Sequence, residues 1–185
     1  SETDTLDYEG EVIKRCEFEH IELADLKNAV ESMRGQITQI PPIYSAVKYQ
    51  GKPLYDYARS GKGDTVPLES LARKVEVFKI DLLKYEGNRA TISVSCSKGT
   101  YVRVLAKDIA EIVKSCGTLT RLVRTRAAGV DLSQSCSLDD IESNMNEMEK
   151  LLTPLECIEM EIPKWVSPDD GAVSKLRSGQ EVVVD

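Results

Sequence analysis

The sequence has 185 residues but only one histidine, one tryptophan and two phenylalanines. With a single imidazole, His20, in a polar stretch and no companion motif, Ser-His-Asp and Cys-His nucleophile systems have little to stand on. The five cysteines (16, 96, 116, 136 and 157) are odd in number and widely spread, and no C-x-x-C occurs. Neither a zinc site nor a disulfide framework is expected from that pattern, and reduced thiols in a cytosol-like, cytoplasmic compartment are the simpler expectation. No run approaches the roughly 18 apolar residues that a membrane-spanning helix needs. Residues 1–10 are acidic and do not have the form of a signal peptide. The chain opens inside a pattern without an initiator Met, so an N-terminal portion of a longer protein is expected to precede it.

Hydrophobic residues make up 41% and charged residues 30%, ordinary values for a globular protein. The length fits one domain, or one domain and part of another. A net charge of −7 looks unsuited to nucleic acid, but its distribution changes that view. Residues 1–43 carry a net of −6, residues 44–126 a net of +8, and residues 127–185 a net of −9. Local field governs phosphate binding, so the basic middle is the candidate nucleic-acid face.

The organising stretch is 90–113. Residues 90–96 alternate, placing Ala90, Ile92, Val94 and Cys96 on one face of a half-buried strand. Leu105, Ile109, Ile112 and Val113 follow at helical spacing. Between them lies Lys98-Gly99-Thr100-Tyr101-Val102-Arg103, where the glycine permits positive φ or close approach of a ligand. In an extended backbone Tyr101 and Arg103 project to the same side. A phenol beside a guanidinium suits stacking on a planar base and pairing with carboxylate or phosphate. The same spacing also fits a rim tyrosine and a solvated arginine.

Along the chain, residues 3–10 read as a loop, with a short strand at 11–13. Leu23, Leu26, Val30 and Met33 form a helical stripe with Gly35 as its stop. Pro41-Pro42 forces an extended path, and Pro53 and Gly61 bracket a short helix. Four of the seven tyrosines (44, 49, 55 and 57) fall among Lys48, Lys52 and Arg59. That mixture suits an RNA-contacting surface, and equally a tyrosine-rich packing loop. Residues 61–70 are predicted to be flexible. Val75, Val77, Phe78, Ile80 and Leu82 mark one strand or two with a bulge, and Glu86-Gly87-Asn88 turns the chain into the strand at 90–96 as a hairpin. Residues 118–126 read as a further strand carrying Arg121, Arg124 and Arg126. Ser137 is an N-cap with an acid three residues on, and Leu138, Ile141, Met145 and Met148 form a core-like helix face. Residues 165–185 read as the start of a strand-rich unit.

These segments together resemble the TruB family of tRNA pseudouridine synthases. The motifs are Thr3-Asp4-Thr5, Arg34-Gly35, Pro41-Pro42-Ile43-Tyr44-Ser45-Ala46-Val47-Lys48, Gly51-Lys52-Pro53-Leu54-Tyr55, Ser97 through Arg103, and Leu122 through Arg126, with a weaker match at Leu176-Arg177-Ser178-Gly179-Gln180. The resemblance implies an α+β fold: a mixed, mainly antiparallel sheet with flanking helices, incomplete at its N-terminus. Residues 1–160 would be synthase domain, with an RNA-gripping insertion at about 40–72, and residues 161–185 would begin a small β-rich PUA-like RNA-binding domain.

The resemblance further implies isomerisation of the T-loop uridine (position 55) of tRNA, by base flipping and attack of an aspartate. No cofactor and no metal are implied, and the full-length parent is expected to be a monomer. Tyr101 and Arg103 match the family's catalytic Tyr and Arg, the Arg pairing with the nucleophilic aspartate. Leu122 matches an apolar residue on the other face of the base. Lys98, Gly99, Thr100, Tyr44, Lys48, Lys52, Arg59 and Arg124 fall in the RNA-binding segments. The family's Gly-x-Leu-Asp-Pro-x-Ala-Thr-Gly motif, which carries the nucleophile, is absent, as is the Lys-x-Tyr segment. No aspartate here takes its place; Asp108 is expected on a helix surface. The chain by itself is therefore expected to be inactive. A non-catalytic RNA-binding module and an unrelated α+β metabolic enzyme are the rival readings.

Overall fold

The computed structural model describes residues 1–154 and 170–182, in two compact units, Ser1–Leu122 and Val123–Asp185. The first is α+β, as the sequence implies. Its centre is an antiparallel sheet of β3 (Gly35–Gln39), β6 (Arg73–Glu86) and β7 (Arg89–Cys96), in the order β3-β6-β7. Helices α1 (Leu23–Ser32) and α3 (Val102–Ile112) supply the apolar stripes that cover it. Leu26, Ala29 and Val30 of α1 and Leu105 and Ile109 of α3 meet Val77 and Ile80 of β6 in one buried cluster. Each leucine, isoleucine or valine side chain so removed from water stabilises the unit by roughly 1.5–3 kcal/mol.

Where one bulge was expected, β6 carries two, between Val77 and Lys79 and between Leu82 and Lys84. They break the alternation and leave Phe78 and Leu83 outside. In β7, Ile92, Val94 and Cys96 lean on the core, while Ala90 at the hairpin end is exposed. On α3 the buried residue before Leu105 is Val104, and Ile112 is 49% exposed, because its turn has passed the sheet. The sequence pattern did not reveal β3. Its signal is the brief alternation Gln36-Ile37-Thr38, and Gly35, expected as a helix stop, is already the first strand residue.

After α3 the chain doubles back at Gly117. A Cβ there would lie 2.8 Å from the Cβ of Ala110 and 2.9 Å from the carbonyl oxygen of Ala106, so only glycine allows this approach. Residues 118–126 do not form the expected strand. Leu119 bridges to Asp7, its N–H donating to the Leu6 carbonyl at 3.0 Å, and the residues that follow find no ladder partner before Arg126. The N-terminal segment runs beside this return as β1 (Glu2–Thr3) and β2 (Val12–Lys14). It is tied there by a Cys16–Cys116 disulfide, Cα atoms 5.7 Å apart. This corrects the reduced-thiol expectation. The partners lie 100 residues apart in sequence, so spacing could not reveal them. Among the described residues Cys96 and Cys136 are free thiols.

A second, smaller core holds Val47, Leu54 and Val66. It lies under the hairpin β4 (Lys48–Tyr49) and β5 (Lys52–Pro53) and helix α2 (Leu54–Arg59). Residues 61–70, predicted flexible, form 3-10 turns at Gly63–Thr65 and Leu68–Leu71, because Val66 is drawn into that core at 6% exposure.

The second unit contains a hairpin of β8 (Arg126–Ala127) and β9 (Val130–Asp131) and helix α4 (Leu138–Ser143). The expected N-cap is present: the Asp140 N–H donates to Ser137 Oγ at 3.1 Å and the Ser137 N–H to Asp140 Oδ2 at 2.8 Å. The expected core face is not: Leu138 is 77% and Met145 63% exposed. Helix α5 (Asp170–Arg177) stands where strands were predicted, with Gly179 at φ 72 just past its end. Residues 155–169 and 183–185, including 161–169 and 183–185 of the predicted second domain, lie outside the described residues. No described helix is long and apolar enough to cross a membrane.

Candidate functional site

The site grows from the turn between β7 and α3. The Ser97 N–H donates to the Glu76 carbonyl at 2.8 Å, and its hydroxyl accepts the Glu76 N–H at 3.0 Å, which seals the end of β7. Thr100 Oγ1 donates to the Ser97 carbonyl at 2.9 Å. Gly99, at φ 83, supplies the left-handed residue that closes this turn. Lys98 and Gly99 are exposed at its tip and Thr100 is half-buried.

Tyr101 is the N-cap of α3, with φ −92 and ψ 103. Arg103 is the second residue of the helix, not part of an extended strand, so the pair is set by a helix start and not by strand alternation. Gln39, buried at the end of β3, fixes the backbone of Tyr101. Its Oε1 accepts the Tyr101 N–H at 2.9 Å, and its Nε2 donates to the Tyr101 carbonyl at 3.3 Å. The tyrosine side chain packs against the Val47–Leu54–Val66 cluster, half-buried.

Arg103 is held from two further directions. Its Nη1 donates to the Thr5 carbonyl at 2.7 Å and to Asp7 Oδ2 at 3.3 Å; its Nη2 donates to the Tyr44 carbonyl at 2.8 Å. The side chains of Arg103 and Asp7 are 23% and 32% exposed, so the pair is partly shielded from solvent screening. Asp7 is held in turn by the Thr5 hydroxyl at 2.9 Å. Asp4 caps the loop at Glu11 N–H and receives the Tyr44 hydroxyl at 3.3 Å. Partial burial and the Asp4 carboxylate push the Tyr44 phenol above its ordinary pKa. Sequence reasoning picked out Thr3-Asp4-Thr5 only as a motif and missed Asp7 and Gln39; the density of Thr and Asp in residues 3–7 was the available signal.

The predicted gripping segment presents its cations outward. Lys48 and Lys52 are exposed on the β4–β5 hairpin, whose turn residues Gln50 and Gly51 both have positive φ. Arg59 on α2 lies 5.4 Å over the Tyr55 ring. Tyr49 and Tyr57 pack edge to face at 5.9 Å and do serve as packing. Leu122 is 59% exposed in an irregular stretch, and Arg124 is exposed in the unit that begins at Val123. His20 Nε2 donates to the Val113 carbonyl at 3.0 Å, a structural tie at the end of α3. Asp108, expected on the surface, is half-buried on α3, and that burial pushes its carboxyl upward. No group of three or more His, Cys, Asp or Glu is disposed to hold a metal among the described residues.

The family described as TruB family pseudouridylate synthase (N terminal domain) matches residues 1–102. The chain is 40% identical to tRNA pseudouridine synthase B of Neisseria meningitidis over 178 residues, covering 95% of this chain and 56% of that protein. It is 42% identical to the protein of the same name from Chromobacterium violaceum over 181 residues, covering 97% of this chain and 57% of that protein. The chain thus spans just over half the length of these curated relatives. In fold it resembles a chain in the crystal structure of a Cbf5-Nop10-Gar1 complex, with a TM-score of 0.52 at 22% identity, covering 70% of this chain and 34% of that one.

Proposed function

The chain belongs to the TruB family of pseudouridylate synthases, and on that footing we propose that it forms the base-holding and RNA-gripping part of an enzyme converting the T-loop uridine of tRNA to pseudouridine. The observation that carries the reading is the convergence on Arg103 of three separate segments: the 3–7 loop, the carbonyl of Tyr44 and the head of α3. A guanidinium anchored on one side still has donors to offer on another, and a carboxylate is the anion its fork fits best. Arg103 holds the nucleophilic aspartate ionised and aimed; that aspartate comes from a segment outside this chain. Tyr101 lies against the extruded uracil, and Leu122 closes its other face. The glycosidic bond breaks, the uracil turns, a carbon–carbon bond forms to the ribose, and the C5 proton leaves to solvent. No cofactor enters these steps. Tyr44, Lys48, Lys52, Arg59, Lys98 and Arg124 hold the stem-loop, largely through phosphates. Residues to about 160 belong to the synthase domain, and 161–185 open a PUA-like RNA-binding domain.

A second reading, a non-catalytic RNA-binding module, draws on the absence of any Leu-Asp-Pro nucleophile motif from this chain. Tritium release from a T-stem-loop labelled at uridine C5 separates the two. The full-length gene product releases tritium and the present chain alone does not. Salt-dependent binding by both, with no release by either, would leave the binding module standing instead.

A further inference from the structure

Gly10 sits where the N-terminal loop, residues 3–11, closes on itself. Its φ lies outside the left-handed region, so its backbone is one that alanine also adopts. What excludes a side chain is space. A Cβ at residue 10 would overlap Thr5 Oγ1 and Asp4 Oδ1 and would lie 3.0 Å from the Thr5 backbone nitrogen.

Those two oxygens cross-link the loop. Thr5 Oγ1 donates to Asp7 Oδ1 at 2.9 Å. Asp4 Oδ1 accepts the Glu11 N–H at 2.8 Å, and Asp4 Oδ2 accepts the Tyr44 hydroxyl at 3.3 Å. The backbone draws shut at the same place: the Asp4 N–H donates to the Glu11 carbonyl at 3.0 Å, and the Gly10 N–H to the Asp7 carbonyl at 3.3 Å. The three groups that hold Arg103, the Thr5 carbonyl, Asp7 Oδ2 and the Tyr44 carbonyl, belong to residues fastened by these bonds. A methyl at residue 10 would push on Thr5 and Asp4 first, and each oxygen would have to withdraw by about 1 Å to regain ordinary contact. Both are ends of short, half-buried side chains outside the hydrophobic core, so the displacement passes into the loop and not into the packing of the sheet.

We propose that Gly10 is a positioning residue for uridine isomerisation: having no side chain, it lets Thr5 and Asp4 close the loop that fixes the Arg103 guanidinium. The assignment rests on the pseudouridine synthase reading above. Its effect reaches the reaction only through Thr5, Asp7 and Tyr44.

The test is single-turnover tritium release from saturating C5-labelled T-stem-loop by full-length Gly10→Ala, beside its affinity for the same RNA and its thermal midpoint. The expected rate is about ten- to a hundredfold below the parent's, the loss that a misplacement of roughly 1 Å costs at a reacting centre. Affinity is nearly retained. The midpoint falls by no more than about 4 °C, since alanine also restricts the unfolded chain and offsets part of the loop's loss. Thr5→Ala separates positioning from general damage to the loop. Alone it frees Asp7 and slows release. In its background Gly10→Ala has lost its nearest collision, so adding it slows release by a smaller factor than it does in the parent. Equal factors in the two backgrounds overturn the proposal. So does a normal rate for Gly10→Ala, a loss explained by weaker RNA binding, or a midpoint low enough to unfold the protein at the assay temperature, which would make Gly10 a residue of the fold alone. A parent that releases no tritium defeats the synthase reading first, before any variant is compared, and the proposal falls with it.

Discussion

Replacing Gln39 tests whether Tyr101 is held by a buried amide and not by the helix alone. The side chain spans from β3 to the cap of α3 through bonds of 2.9 and 3.3 Å, and the residue is only 2% exposed. In Gln39→Ala the Tyr101 N–H loses its acceptor, at a cost of about 1–3 kcal/mol for a buried unsatisfied donor. The Tyr101 carbonyl keeps a partner, because the Leu105 N–H reaches it at 3.0 Å, so the second bond adds only about 1 kcal/mol. The sum is roughly 2–4 kcal/mol, or a midpoint lower by about 4–16 °C for a chain of this size. Gln39→Glu keeps the acceptor but sets a carboxylate oxygen against the Tyr101 carbonyl, so it is destabilising at neutral pH and recovers as acid protonates it. Scanning calorimetry on both variants, followed by turnover in the full-length protein, reads the effect. A Gln39→Ala midpoint within 1–2 °C of the parent (against at least about 4 °C expected) would show that the helix start positions Tyr101 unaided.

Other outcomes follow from the same geometry. Burial raises the Asp108 carboxyl, so the folded state holds that proton more tightly than the unfolded chain. Ionised Asp108 therefore costs stability at neutral pH, and the cost fades as pH falls through the raised pKa toward 3.8. Asp108→Asn raises the midpoint at pH 7 and loses that advantage in acid; an equal effect at both pH values refutes the assignment. Reducing the Cys16–Cys116 disulfide lowers unfolding stability by about 2–5 kcal/mol, seen as a lower denaturant midpoint. A midpoint indifferent to reductant, with no Cys16–Cys116 peptide on mapping, contradicts it. Lys48→Ala with Lys52→Ala weakens RNA binding at low salt and makes the logarithmic salt dependence shallower, by about one for each phosphate the lysines no longer neutralise; an unchanged slope removes the hairpin from the RNA face.

The parts of the molecule legible in the sequence are those set by local pattern. The β6–β7 hairpin, α1, α3 and the Ser137 cap each announce themselves in periodicity or a capping residue, and the structure places them there. Long-range closure was not legible. Nothing local joins Cys16 to Cys116, or Asp7 to Arg103, because those pairs meet only once α3 has packed. The strand expected at 118–126 fails for the converse reason: a run of strand-compatible residues cannot by itself supply a neighbouring strand. The apolar spacing of Leu138 and Met145 likewise describes a helix face without a surface to bury it. At the site, Tyr101 and Arg103 were found from residue chemistry and the family resemblance. Their actual supports, Gln39, Asp7 and the carbonyls of Thr5 and Tyr44, belong to tertiary structure.

The central claim is that Arg103 steers a carboxylate during uridine isomerisation and does not merely hold RNA. The most direct measurement is single-turnover tritium release from C5-labelled T-stem-loop by full-length protein carrying Arg103→Ala, beside its affinity for the same RNA. The account predicts a rate at least about a hundredfold slower, as for other charge-stabilising groups aimed at a reacting centre, with binding nearly retained. Near-normal release, or a loss explained wholly by weaker RNA binding, would contradict it.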